Sequence, residues 1–206
     1  KPAAPAVEEP KGQVIRMEGE QGKDPQILAK EVYAAATPTE HDPFKVGENP
    51  LGPFDKGASL GFTLGQWLAA TGEGTYSVDR LNAEMNFYFK NLVSNGVYTV
   101  WCSRFTYPPN FKVVDAPCGT ANGSENSFAA DSDGNGAFLL KLKPLEESTN
   151  ETVSLIALAY HSNGKTYGAL PGDFGLNSHV QIFFILPQPT TFARAFEVPV
   201  KFVNHI

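Results

Sequence analysis

Several kinds of residue are scarce in this 206-residue chain, and each scarcity excludes something. Its 16 basic residues are scattered singly among 22 acidic ones, giving a formal net charge of −6. A chain without a basic cluster cannot neutralise a row of phosphates, so no nucleic-acid partner is expected. Apolar stretches such as "QIFFIL" fall far short of the ~20 residues that span a bilayer as a helix, so no transmembrane segment is expected. Four histidines and two cysteines, with no HxH, HExxH or CxxC spacing, supply no matched ligand set for zinc or copper. No Ser/His/Asp set stands out by context. Candidate carboxylate pairs, Glu146 with Glu147 or Asp173 with Glu125, have nothing in the sequence to select them. No catalytic residue is therefore assigned, and the chain is not expected to be an enzyme.

What is present favours strands. There are fifteen Phe and seven Tyr, and the 19 Gly and 16 Pro provide many turns. In "LNAEMNFYFKN", Leu81, Ala83, Met85, Phe87 and Phe89 alternate with Asn82, Glu84, Asn86 and Lys90, the two-residue rhythm of a half-buried strand. Further strand-like runs follow in "VYTVWCSRF", "FKVVDAP", "SFAAD", "GAFLLKLKPL", "TVSLIALAYHS", "KTYGAL" and "HVQIFFILP". Asn95-Gly96 reads as a two-residue hairpin turn, Asn163-Gly164 as a second turn and "DSDGNG" as a third. The expected fold is mainly β: an antiparallel β-sandwich of seven to nine strands, Ig-like or jelly-roll-like.

Two short helices are expected in the N-terminal third. Asp24 can cap and Pro25 can start one that Pro38 stops; Thr63 and Gln66 have capping-box spacing for the other, with Gly72 as its left-handed exit. Between them runs a Pro/Gly-rich connector anchored by Phe44, Leu51 and Phe54. The expected organisation is a spacer and candidate donor strand over 1–23, a helix-and-loop segment over 24–73, a sandwich core over 74–187 and a strand extension over 188–206.

Cys102 and Cys118 are read as a disulfide, because the segment between them is loop-like. "NGS" at Asn122 and "NET" at Asn150 match the glycosylation acceptor pattern. Asp131, Asp133 and Asn135 have the one–three–five spacing of a calcium loop, but Leu142 stands where the bidentate acid belongs, and a tight turn explains the same letters. No cofactor is expected, and calcium is the one ion whose ligand types are at hand. Trp67, Trp101, Tyr98, Tyr107, Tyr160 and Tyr167 are the rings available either to a core or to a sugar-binding face.

Two segments, "G-x-Y-T-x-W" at residues 96–101 and "A-Y-H-x-x-G-x-T-x-G" at residues 159–168, carry a resemblance spanning roughly residues 48–187. In these the chain resembles a group of exported bacterial β-rich proteins. The resemblance implies export and a β domain, and brings no activity or catalytic residue with it. The opening "KPAAPAVEEPKG" reads as a spacer of a mature exported protein, so an extracellular or cell-surface location is expected.

The tails raise the functional question. In "FARAFEVPVKFVNHI", Phe196, Val198, Val200 and Phe202 alternate with polar residues and Pro199. The N-terminal "GQVIRMEG" offers Val14, Ile15 and Met17 in the same way. A lone amphipathic strand is unstable in water and needs a sheet edge. It can fold back onto its own sandwich or complete a neighbouring subunit by β-augmentation. The second outcome predicts self-association into a head-to-tail homopolymer, which does not close. The alternative is a monomeric surface module that binds a glycan or another small ligand.

Overall fold

The computed structural model describes residues 24–39, 54–79, 81–106, 112–146, 148–149, 151–186 and 197–201. In chain order the elements are α1 (Pro25–Leu28), β1 (Glu31–Ala35), β2 (Lys56–Thr63), α2 (Leu64–Leu68), β3 (Thr71–Asp79), β4 (Asn82–Lys90), β5 (Val97–Thr106), β6 (Lys112–Pro117), β7 (Ser127–Ala129), β8 (Gly136–Leu142), β9 (Thr152–His161), β10 (Ser178–Ile185) and β11 (Glu197–Lys201). The chain is mainly β and every ladder is antiparallel. A four-stranded sheet runs β11-β3-β4-β8; a five-stranded sheet runs β10-β9-β5-β6, with β7 also on β5; β1 and β2 form a small sheet of their own.

The alternation in β4 builds the core. Ala83, Met85, Phe87 and Phe89 are all buried, and they meet Tyr98, Val100, Ile156, Leu158 and Ile182 of the five-stranded sheet in one cluster. Fully burying a side chain such as Phe87 contributes about 1.5–3 kcal/mol. Leu81, expected on that face, stands outside it at 80% exposure, because β4 and its alternation begin one residue later.

The N-terminal third departs from expectation. The helix from Asp24 is one turn long: Asp24 accepts from the Gln26 amide, Pro25 starts the helix, and the chain leaves it at Ala29. "EVYAA" then forms β1, with Val32 and Ala34 buried and a ladder to β2. Part of the expected connector, "KGASLGFT", is the strand that β1 pairs with. Phe44 and Leu51 lie outside the described residues. These two strands, with β11, bring the described strands to eleven.

The capping box of α2 is present: the Gln66 amide donates to Thr63 Oγ1, and the Thr63 amide donates to Gln66 Oε1 at 2.8 Å. The exit differs, because Ala69 ends the helix in right-handed geometry and Gly72 lies inside β3 opposite Phe89. Asn95 takes a left-handed φ of 56°, as a turn residue should. The strands it joins, however, belong to different sheets, so Asn95-Gly96 crosses the sandwich and is not a hairpin turn.

α2 is tied to the five-stranded sheet through one polar side chain. A bulge between Val180 and Ile182 breaks the β9–β10 register at Gln181. The Gln181 amide donates to the Trp67 carbonyl at 3.0 Å and accepts from the Tyr98 hydroxyl, which itself accepts from the Val93 amide. Burial pushes the Tyr98 phenol well above its usual range, so it stays a donor.

Candidate functional site

β3 is held by β4 along its whole length and by β11 on its other side. The β11 register runs from Glu197 opposite Ser77 to Lys201 opposite Glu73. It sets Val198 opposite Tyr76 and Val200 opposite Gly74. Tyr76 is buried in the core, and its hydroxyl accepts from the Leu145 amide at 2.8 Å. At Gly74 an added Cβ would sit 2.1 Å from the Asn86 carbonyl oxygen and 2.7 Å from Phe87 Cδ1, so the strand has no room for a side chain there. The two valines predicted for the apolar face are thus in register with the two core-facing positions of this stretch. Pro199, which has no amide hydrogen, stands opposite Thr75 in a strand that closes the sheet edge, the place where proline is tolerated. The C-terminal strand pairs within its own chain in this structure. Phe196 and Phe202 lie outside the described residues, as do Val14, Ile15 and Met17.

The buried histidines form two hydroxyl–imidazole pairs. His161 Nε2 is 2.7 Å from Thr99 Oγ1, which also accepts from Trp101 Nε1 at 2.8 Å. His179 Nε2 is 2.9 Å from Ser162 Oγ. Burial pulls both imidazoles down to about 4, and the neighbouring His161 adds to the effect at His179. Among the described residues no carboxylate accepts a hydrogen bond from either ring, so neither pair has the third member of a nucleophile–base–acid set. His41 and His205 lie outside the described residues.

No Gly-x-Ser-x-Gly elbow is expected from the sequence, yet one segment carries those letters. Gly57–Gly61 spells Gly-x-Ser-x-Gly. A nucleophile elbow places that serine on a sharp strand-to-helix turn beside a histidine. Ser59 instead lies within β2, where its hydroxyl donates to the Glu31 carboxylate and accepts from the Gly61 amide. Glu31 also accepts from the Tyr33 hydroxyl, and these bonds hold its carboxyl below the usual range. The described carboxylates among those weighed from sequence each have a partner. Glu146 pairs with Arg104, Asp173 accepts from Asn177, Glu125 accepts from the Thr120 amide, and Glu147 lies outside the described residues.

Cys102 and Cys118 form a disulfide with a Cα separation of 5.1 Å, joining β5 to the residue that follows β6. Asp131 uses its carboxylate to close its own turn. Oδ1 accepts from the amides of Asp133 and Asn135 at 2.9 and 2.8 Å, and the Asn135 side chain donates to Oδ2. Those bonds, the Asn135 amide first, hold its carboxyl below the ordinary range. Gly134 supplies the left-handed residue at φ 76°. Among the described residues no group of three or more His, Cys, Asp or Glu side chains converges as a metal site. Asn122 is exposed, with its side-chain oxygen accepting from the Ser124 amide and the Thr120 hydroxyl; Asn150 lies outside the described residues.

Most rings considered for a sugar-binding face are in the core. Tyr98, Trp101 and Tyr160 are buried, Trp67 stacks on Phe62 at 5.4 Å, and Tyr107 lies outside the described residues. Of these six rings, Tyr167, at 36%, is the one described as exposed. No helix among the described residues is long and apolar enough to cross a membrane. No protein-family model matches the chain, and no match to it is found among curated proteins or solved structures.

Proposed function

We propose that this chain is an exported structural protein, a subunit of an extracellular filament or matrix assembled by exchange of its terminal strand. The observation that carries the reading is the register of β11, a short last strand whose valines stand opposite the core-facing positions of β3. Any β11 satisfies that edge equally well, whether it comes from the same chain or from another. Residues 187–196 connect it to Leu186. Ten extended residues reach at most about 33–36 Å, whereas facing sheets lie only about 10 Å apart. The connector is therefore longer than a crossing between the chain's own two sheets requires. Because the donor of one copy fills the edge of the next, the contact is head-to-tail and the assembly grows without closing. The Cys102–Cys118 bridge suits an oxidising, extracellular setting.

Electron microscopy of the concentrated protein, beside a form lacking residues 188–206, tests this. Filaments from the full chain that vanish on truncation support the reading. Filaments that persist in the truncated form assign the donor role to the N-terminal segment, and a full chain that stays monomeric at every concentration rules the reading out.

A further inference from the structure

One buried polar cluster is used neither by the β11 edge nor by any catalytic arrangement. His161 is 1% exposed and Ser178 is fully buried, and they are register partners at the adjoining ends of β9 and β10. Paired residues of an antiparallel ladder put their side chains on the same face, with Cβ atoms about 4.5–5.5 Å apart. Yet among the described residues neither His161 Nδ1 nor Ser178 Oγ has a hydrogen-bond partner, each other included.

The chemistry of the neighbours fixes what Nδ1 needs. Trp101 Nε1 can only donate, so Thr99 Oγ1 accepts from it and directs its own proton to its other partner, His161 Nε2. Nε2 is then the acceptor nitrogen of a neutral ring, and the proton resides on Nδ1. The relay runs Trp101 to Thr99 to His161 and leaves the Nδ1 proton without a partner among the described residues. A buried donor or acceptor without a partner costs about 1–3 kcal/mol.

We infer that a single internal water molecule occupies the space between His161 and Ser178, accepting from Nδ1–H and bonded to Ser178 Oγ. Two buried polar groups that share a face of a ladder without bonding each other are what one water bridges, and buried waters typically make two to four such bonds. The site takes water in preference to a cation, because a protonated Nδ1 repels positive charge. Bound there, the water joins β9 to β10 through side chains, just where the Gly164-containing loop between them begins and ends.

A high-resolution crystal structure of the full chain, paired with nitrogen-15 NMR of His161, tests the assignment. Expected are one ordered water within about 2.7–3.2 Å of both atoms, a proton on Nδ1, and loss of that water's density in Ser178→Ala. Direct bonding of Ser178 Oγ to Nδ1 with no water between overturns it. So does a proton on Nε2, or a density unchanged by Ser178→Ala.

Discussion

Tyr98 shows how much one buried hydroxyl can organise. It bonds the Val93 amide and Gln181, and Gln181 in turn holds α2 through the Trp67 carbonyl. Tyr98→Phe keeps the ring contacts with Phe128 and Tyr160 but strands a half-buried amide and a buried side-chain oxygen. The expected loss is about 1–3 kcal/mol, read as a lower urea midpoint at unchanged slope. The two histidines give a pH dependence whose sign follows from burial. Folded pKa values of about 4 lie below the unfolded value of about 6.5, so the unfolded chain takes up protons first as pH falls. Stability from this source is intact above pH ~6.5, declines between there and pH ~4, and changes no further below that. Urea midpoints from pH 7.5 to 4 should fall across that window. A flat profile would show that the imidazoles are not held neutral.

Among the elements, the disulfide is the clearest local staple. It closes a separation of 16 residues, and in the chain-entropy account a loop of that size contributes about 3 kcal/mol. Replacing Cys102 and Cys118 with serine should therefore lower the unfolding free energy by about that amount while the far-ultraviolet circular dichroism stays β-like. Loss of less than about 1 kcal/mol would show that the 112–117 strand is held mainly by its ladder to β5. This pairing, the α2 capping box and the β4 alternation were legible in the sequence because each is a short-range pattern with one physical reading. β1 was not: "EVYAA" is compatible with a helix begun at Pro25 until β2, some twenty-five residues on, supplies a ladder. Asn95-Gly96 revealed a turn but not its destination, since turn chemistry fixes local φ angles and says nothing about which sheet comes next. Gln181 and the buried pair His161–Ser178 depend on a bulge and a register that no local pattern encodes.

For the whole molecule, the question is where the β11 edge finds its strand. Cis and trans pairing make the same contacts, so the balance depends on the effective concentration of a chain's own strand, on the order of millimolar for a strand tethered to its own edge. Dilute protein is then expected to be monomeric and crowded protein to exchange. The register offers a direct readout, because Ser77 and Glu197 stand opposite each other across this edge. Cysteines placed at both positions can be oxidised in concentrated protein and resolved on a non-reducing gel. The account predicts a ladder of covalent multimers at steps of the 22.3 kDa chain, absent when either new cysteine is omitted. A single crosslinked monomer band at every concentration would contradict it.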